Sequence, residues 1–282
     1  MAMITKIISD FNSKSSFSTS DEVCLFRALA RAIENYSSST FIDETHGGKV
    51  CNVSFTSTTG KPEICEIADL LVISISIQGP LRATFWQVKK QGASKWLNST
   101  SSVHQLDFKG QFNQWDLLSR RPSISGVDSF RPPSDLLSSF RSPSIGSFGV
   151  FYPKGAKTEV AYSIAEFVSC ANPTAKHPTL SVNGYLSKYT FPQDEVISRG
   201  DLSAFLRALF AFQVGALLDS SEATHRWLVR WVRSKAVQAG SPSALLHVLG
   251  QFLEQDGYED IQDVVLLPEG LSILIVRTLD QE

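Results

Sequence analysis

The chain has 282 residues, of which 43% are hydrophobic, enough for a large core domain with or without an appended part. Its 26 Lys and Arg residues against 28 Asp and Glu give a formal net charge of -2, which excludes a uniformly basic nucleic-acid-binding protein and confines any such surface to a local patch. The four cysteines lack zinc spacing and no apolar run approaches the roughly 20 residues of a membrane helix, so we expect a cytoplasmic protein with reduced thiols and no membrane association.

The first predicted element is an amphipathic helix that ends near Tyr36. Residues 18–22, with the sequence STSDE, supply the side chains that commonly cap a helix N-terminus. Apolar side chains then recur at three- and four-residue spacing, at Val23, Phe26, Leu29, Ala30 and Ile33. This spacing predicts one buried face on the helix.

Three strands joined by short turns are predicted next. Residues 50–56 alternate between apolar and polar, and residues 58–61, TTGK, suit a hairpin loop. A second strand is predicted over residues 63–77. The Gln-Gly-Pro turn at residues 78–80 then leads into a third strand over residues 81–90.

The rest of the chain predicts a second helix, a fourth strand and a region of mixed structure. Helical spacing of apolar residues covers residues 106–120, and a strand is predicted over residues 147–152 after a connection rich in Ser, Pro and Arg. Later predicted elements are strands near residues 160–167 (or a helix) and 185–191, helices over 201–218, 221–239 and 241–255, and a strand over 271–276. We therefore predict an α+β (α/β) fold with a helix-strand-strand-strand-helix-strand core in residues 1–155. Residues 156–282 are expected to be mostly helical and to serve recognition, oligomerisation or partner docking.

A carboxylate inside one apolar run and a Gln-Val-Lys sequence in the next carry the chemical signal. Burying Asp69 is costly unless a partner or a bound cation compensates its charge. Side chains alternate along a strand, so Gln87 and Lys89 share one face. Glu66 and Asp69 lie three residues apart and would point to opposite faces of a continuous strand unless a bulge intervenes. Only one of the two is expected to join the site, and Asp69 is favoured over Glu66 because its neighbours are apolar.

This pattern resembles the PD-(D/E)xK nuclease superfamily, in particular its Mrr-like branch, in which Gln replaces the acidic residue before x-Lys. The resemblance covers residues 20–152, about half of the chain. It implies a restriction-endonuclease-like core in which Asp69, Gln87 and the backbone carbonyl of Val88 bind Mg²⁺ or Mn²⁺. It also implies that Lys89 stabilises charge or orients the nucleophile. Hard cations prefer carboxylate and carbonyl oxygens, and lysine offers a compact positive charge to a phosphate oxygen.

The family often adds an acidic residue from the first helix. Glu34, near the end of that helix, is the expected candidate for catalysis and metal binding, ahead of Glu22 at its start; a solvated surface position for Glu34 is the alternative. Gln111 and Trp115 have the spacing of the Gln-x-x-x-Tyr element in the RecB-like branch. The alternative places Trp115 in the core and Gln111 on the surface.

Basic residues after the third strand are candidate phosphate contacts, namely Lys90, Lys109, Arg120 and Arg121; solvated surface charges are the alternative. No Gly-Lys-Ser/Thr phosphate loop and no Gly-x-Ser-x-Gly elbow occurs, which excludes a P-loop NTPase and a typical serine hydrolase. The resemblance implies a metal-dependent deoxyribonuclease in bacterial defence against foreign DNA. The alternatives are a ribonuclease, and a non-catalytic scaffold or DNA-binding subunit that works with a protein partner such as an ATPase or a nuclease. Homo-oligomerisation is a further possibility.

Overall fold

The structure, a computed structural model, describes residues 2–36, 40–43, 51–91, 105–183, 187–191, 194–254 and 271–278. These residues form an α+β fold with a mixed sheet. The helices are α1 (Ala2–Lys14), α2 (Glu22–Tyr36), α3 (Phe112–Arg120), α4 (Leu202–Phe210), α5 (Ala223–Gln238) and α6 (Ser243–Glu254). The strands are β1 (Thr40–Asp43), β2 (Asn52–Thr56), β3 (Pro62–Glu66), β4 (Leu70–Ile75), β5 (Leu81–Lys90), β6 (Gln105–Lys109), β7 (Ser125–Gly126), β8 (Gly146–Lys154), β9 (Lys157–Ile164), β10 (Val168–Cys170), β11 (Thr179–Asn183), β12 (Ser187–Phe191), β13 (Asp194–Asp201), β14 (Ala216–Leu217) and β15 (Ser272–Arg277).

The main sheet has the strand order β1-β15-β4-β5-β8-β9-β13-β12, with β14 paired to β5. β4 and β5 form an antiparallel hairpin, whereas β5 and β8 run parallel. A parallel pair needs a long crossover connection, and α3 lies within it. β15 runs parallel to β4 on the other side of the hairpin. Two three-stranded sheets, β10-β11-β6 and β3-β2-β7, lie apart from the main sheet.

Helices cover both faces of the main sheet, and β5 separates the two hydrophobic cores. Trp86 and Val88 pack with α1, α2 and α4, whereas Phe85 packs with α3, α5 and α6. Trp86 lies over Gly149 of β8, where a Cβ would come within 2.3 Å of the indole. The close contact between the indole and the backbone explains why residue 149 is a glycine. It also shows that Trp86 points from β5 toward α1, α2 and α4. Gln87 therefore points to the same side as Phe85.

The structure confirms α2 and the strands predicted over residues 50–56, 81–90 and 147–152 to within a few residues. The single strand predicted over residues 63–77 is wrong, because β3 pairs with β2 in a small sheet while β4 belongs to the main sheet. The helix predicted over residues 106–120 is half wrong. Residues 105–109 form β6. Leu106 and Phe108 are two residues apart, which suits a strand as well as the start of a helix, and both pack on the same core. The helix α1 lies before the first predicted element and is not among the predicted helices.

The region after residue 155 is mixed, as expected, but helices do not predominate in its described part. The described part of that region contains strands β9 to β15 beside helices α4 to α6, and the helix predicted over residues 201–218 ends at Phe210. The boundary predicted after residue 155 falls in the turn between β8 and β9, and both predicted parts contribute strands to the main sheet. Among the described helices, none is both long and apolar enough to cross a membrane.

Candidate functional site

The candidate site lies where the start of β4 meets the end of β5. Leu70 pairs with Trp86 in this antiparallel hairpin, so Asp69, one residue before β4, comes beside Gln87 and Val88. The Asp69 Oδ2 atom accepts a hydrogen bond from Gln87 Nε2 and another, of 2.7 Å, from the Val88 backbone N–H. The structure therefore brings together the residues that the sequence pattern paired.

A change of sheet explains the position of Asp69. β3 ends at Glu66, and the chain then passes through buried Ile67 and Ala68 before β4 begins. The Ile67 N–H donates to the Cys51 carbonyl at 3.1 Å, which fixes this crossing. The hydrogen bonds between the β4 and β5 backbones end at Leu70 and Trp86. Beyond them, the Asp69 carboxylate accepts the hydrogen bond of the Val88 N–H in place of a backbone carbonyl. A buried N–H without a partner would cost about 1–3 kcal/mol, so Asp69 also stabilises the fold.

The Gln87 amide is the second element of the site. Its side chain has 0% exposure, and its Oε1 atom is buried without a hydrogen-bond partner in the part of the chain that the structure describes. Such an atom costs about 1–3 kcal/mol and needs an explanation. A hard divalent cation accepts electron pairs from amide and carboxylate oxygens. The unpaired oxygen of Gln87 beside the Asp69 carboxylate is the kind of ligand pair such an ion takes.

Three carboxyl groups and one ammonium share the electrostatic environment of the site. Burial raises the pKa of Asp69, against the lowering effects of the Lys89 charge and of the hydrogen bonds from Val88 and Gln87. Burial and the negative charge of Asp69 raise the pKa of Glu66, which Lys89 opposes. Burial likewise raises the pKa of Glu22, with Lys89 again opposing and Asp69 adding to the rise. Lys89 is therefore the positive charge that these carboxylates have in common.

The expectation that only one of Glu66 and Asp69 joins the site needs correction. The alternation rule applies within one strand, and the chain is not one strand here, because β3 ends before β4 begins. Glu66 is close enough to Asp69 and Lys89 for their charges to change its pKa. Glu66 ends β3 and Asp69 lies one residue before β4, so alternation along one strand does not exclude Glu66 from the neighbourhood of the site.

The structure places Glu22 at the site and not Glu34. Glu22 is the first residue of α2, and its Oε1 atom accepts a hydrogen bond of 2.8 Å from the Lys90 N–H. Glu34 is exposed and lies twelve residues further along the same helix, about 18 Å away along the axis. The STSDE sequence carried the missed signal. Asp21 caps the helix by accepting a 2.7 Å bond from the Cys24 N–H, and the next residue, Glu22, bonds to β5.

The donor atoms fit a magnesium or manganese ion. Asp69 supplies a carboxylate and Gln87 a buried oxygen without a partner. The N–H and C=O of one strand residue point to the same neighbouring strand, so the Val88 carbonyl faces the same side as the N–H that contacts Asp69. No group of three or more His, Cys, Asp or Glu side chains that could hold a metal occurs among the described residues. Magnesium usually takes only one or two carboxylates and completes its coordination with waters and substrate phosphates.

The basic residues predicted to contact phosphates have internal partners. These partners are the Ser20 carbonyl for Lys90 (2.7 Å), the Thr179 hydroxyl for Lys109 (2.9 Å), the Asp116 carboxylate for Arg120 (3.1 Å) and the Phe140 carbonyl for Arg121 (2.9 Å). Lys109 is exposed and Lys90 half-buried. A phosphate-binding role for these four residues stays a prediction.

Trp115 belongs to the core, as the alternative interpretation expected. Its indole Nε1 donates to the Val168 carbonyl at 2.7 Å, and it packs on the hydrophobic core beside α3. Gln111 occupies the position before α3 without capping it through its side chain. Gln111 is exposed, as the same alternative expected.

No protein-family model matches the chain, and no curated protein or solved structure matches it either. The site consists of a carboxylate, an amide and a lysine at the adjoining ends of two antiparallel strands. Two further carboxyl groups, Glu66 and Glu22, approach from β3 and α2.

Proposed function

We propose that the protein is a divalent-metal-dependent nuclease that hydrolyses phosphodiester bonds in DNA. The observation that carries the proposal is the convergence of Asp69, Gln87 and Lys89 at one end of the β4–β5 hairpin. The order of a helix, this hairpin, the crossover helix α3 and the parallel strand β8 supports the resemblance to the PD-(D/E)xK core. The resemblance also suggests bacterial defence against foreign DNA as the setting.

Asp69 and the Gln87 amide oxygen, with the Val88 carbonyl, would hold the metal ion. A bound Mg²⁺ supplies Lewis-acid polarisation of a phosphoryl oxygen. The Lys89 ammonium makes no hydrogen bond or close ion pair among the described residues, so it is available to a phosphate oxygen. There it stabilises the negative charge that increases as the phosphodiester bond is broken.

Glu66 and Glu22 are the candidates to accept the proton of the attacking water. A carboxylate with a raised pKa is a stronger base, and a base works best when its pKa lies nearer the working pH. Burial raises the pKa of both groups, and their common neighbour Lys89 lies beside the expected position of the phosphate. These pKa directions support a role for Glu66 or Glu22 in orienting a water toward phosphorus.

The test is incubation of the purified protein with supercoiled and linear DNA in the presence of magnesium. Cleavage is expected, and EDTA, Asp69→Asn and Lys89→Met should each abolish it. Asp128→Asn is the matched control, because Asp128 is exposed in a turn and has φ 56°, a conformation that Asn tolerates. Cleavage that survives both site substitutions, or a wild-type protein that cleaves no nucleic acid, would overturn the proposal.

A second candidate is a DNA-binding subunit with a nuclease-like fold and no activity of its own, working with an ATPase or nuclease partner. It is favoured by Gln87, since an amide binds a cation more weakly than a second carboxylate. Binding of DNA in a gel shift without cleavage of DNA or RNA would support it. RNA offered in the same assay identifies a ribonuclease.

A further inference from the structure

We infer that Lys90 is a positioning residue, which holds the start of α2 so that Glu22 lies beside Lys89 and Asp69. The inference rests on the proposed nuclease function and adds a residue outside the Asp-Gln-x-Lys pattern. It also replaces the direct phosphate contact predicted for Lys90 with a role inside the protein.

Strand alternation separates Lys90 from the substrate side of β5. Lys89 shares a face with Gln87, while Lys90 shares the opposite face with Trp86 and Val88. That second face is the one covered by α1 and α2. Two consecutive lysines at the end of one strand therefore have different environments.

Three contacts connect Lys90 to the segment that enters α2. Its ammonium donates to the Ser20 carbonyl at 2.7 Å and lies 4.6 Å from the centroid of the Phe17 ring. Its backbone N–H donates to Glu22 Oε1 at 2.8 Å. A cation held both by a carbonyl and by an aromatic face is well fixed. The side chain therefore fixes the segment before the helix, and the backbone fixes the first residue of the helix.

Glu22 gains its place in the site from these contacts. The 2.8 Å bond from the Lys90 N–H holds the Glu22 carboxylate at the end of β5, one residue along the strand from Lys89. Burial raises the pKa of Glu22, Lys89 opposes the rise and Asp69 adds to it, as expected for a carboxylate at this position. The groups that face Lys90 and Glu22 from neighbouring elements are thus Lys89, Asp69 and Asp21, with Ser20 and Phe17 on the entering segment. Without the Lys90 ammonium, the 2.7 Å cap by Asp21 still forms, but the bond to the Ser20 carbonyl and the contact with the Phe17 ring, which attach residues 17–20 to β5, are lost.

The test compares Lys90→Met with Lys90→Arg and with Lys6→Met as the matched control, because Lys6 is an exposed lysine on α1. DNA cleavage is measured over a magnesium titration, and Mn²⁺ binding is measured by calorimetry without substrate. Loss of a residue that orients a group in a metal site commonly costs about 10–100-fold in metal affinity or activity. Because Glu22 is a candidate proton acceptor and not one of the proposed metal ligands, we expect Lys90→Met to lower the cleavage rate at saturating magnesium by about tenfold or more, while its Mn²⁺ affinity stays close to that of wild type. Lys90→Arg should recover most of this loss, and Lys6→Met should match wild type.

A double variant separates positioning from general damage. If Lys90 acts through Glu22, the Glu22→Gln and Lys90→Met changes are not additive, and the double variant resembles Glu22→Gln alone. Additive losses, or an unchanged cleavage rate in Lys90→Met, overturn the inference while leaving the nuclease proposal intact. If Lys90→Met does not fold in thermal unfolding, Phe17→Leu provides the milder test and should also lower the cleavage rate at saturating magnesium. A wild-type protein that neither cleaves nucleic acid nor binds Mn²⁺ refutes the proposed function and this inference together.

Discussion

Replacing Gln87 by Glu tests the metal site without an activity assay. The substitution removes the hydrogen bond from Gln87 Nε2 to Asp69 Oδ2 and places a second carboxyl beside the first in a fully buried position. A hydrogen bond to a charged acceptor contributes about 1.5–3 kcal/mol. Two adjacent buried carboxyls cannot both ionise easily, so the pair retains a proton at a cost of about 1.4 kcal/mol per unit of pKa shift.

These two effects predict that Gln87→Glu destabilises the metal-free protein by about 2–4 kcal/mol at mildly alkaline pH. For a chain of this size, that corresponds to a fall in Tm of roughly 4–10 °C. A bound Mg²⁺ neutralises both carboxylates, and saturation to about 100 times the Kd returns about 2.7 kcal/mol. Magnesium should therefore stabilise Gln87→Glu more than it stabilises wild type.

Thermal unfolding with EDTA and with excess magnesium measures both effects. Gln78→Glu is the control, since Gln78 is exposed in the turn at the opposite end of the same hairpin. Equal magnesium effects on wild type and both variants would refute the reasoning, because the substitution would then have added no metal ligand. A Gln87→Glu protein as stable as wild type in EDTA would contradict the proximity of the two side chains.

Three further predictions concern the same region. Asp69→Asn should be at least as stable as wild type in metal-free urea unfolding at neutral pH, and the difference should disappear at low pH. The folded pKa of Asp69 is raised, so its ionisation costs stability as pH rises through that pKa. If Glu66 is the base, cleavage should fall as pH drops through its raised pKa, and Glu66→Gln should remove that acidic limb from the pH–rate profile. Gly149→Ala should destabilise the protein by about 1–3 kcal/mol in urea unfolding, because the new Cβ would meet the Trp86 indole at 2.3 Å.

The local geometry of β5 could be predicted from the sequence. The Gln-Gly-Pro turn marks where the strand begins, and side chains alternate between the two faces of a strand, so residues two apart share a face. Gln87 and Lys89 were paired on that basis, and the hairpin brings Asp69 to them. The break between β3 and β4 could not be predicted. The intervening Ile67 and Ala68 are apolar and contain no turn residue, so the change from one sheet to another depends on tertiary packing alone.

The acidic residue from α2 was misplaced for a related reason. Helical periodicity identifies the buried face of α2, and that face is confirmed by Leu25, Phe26 and Leu29. Periodicity does not say which end of the helix approaches the end of β5. That depends on the segment before the helix, which Lys90 attaches to β5 through Ser20 and Phe17. Such a contact joins residues about 70 positions apart, and no local pattern reports it.

The position of β15 has a consequence for the newly synthesised chain. β4 pairs on one side with β5 and on the other with β15, whose first residue, Ser272, lies opposite Leu70. β15 is synthesised about 200 residues after β4. Until residues 272–277 leave the ribosome, the edge of β4 that pairs with β15 has no partner strand. Exposed edge strands invite pairing with other chains. A fragment released before this point should therefore aggregate, because the β4 edge beside the site would still lack its partner strand.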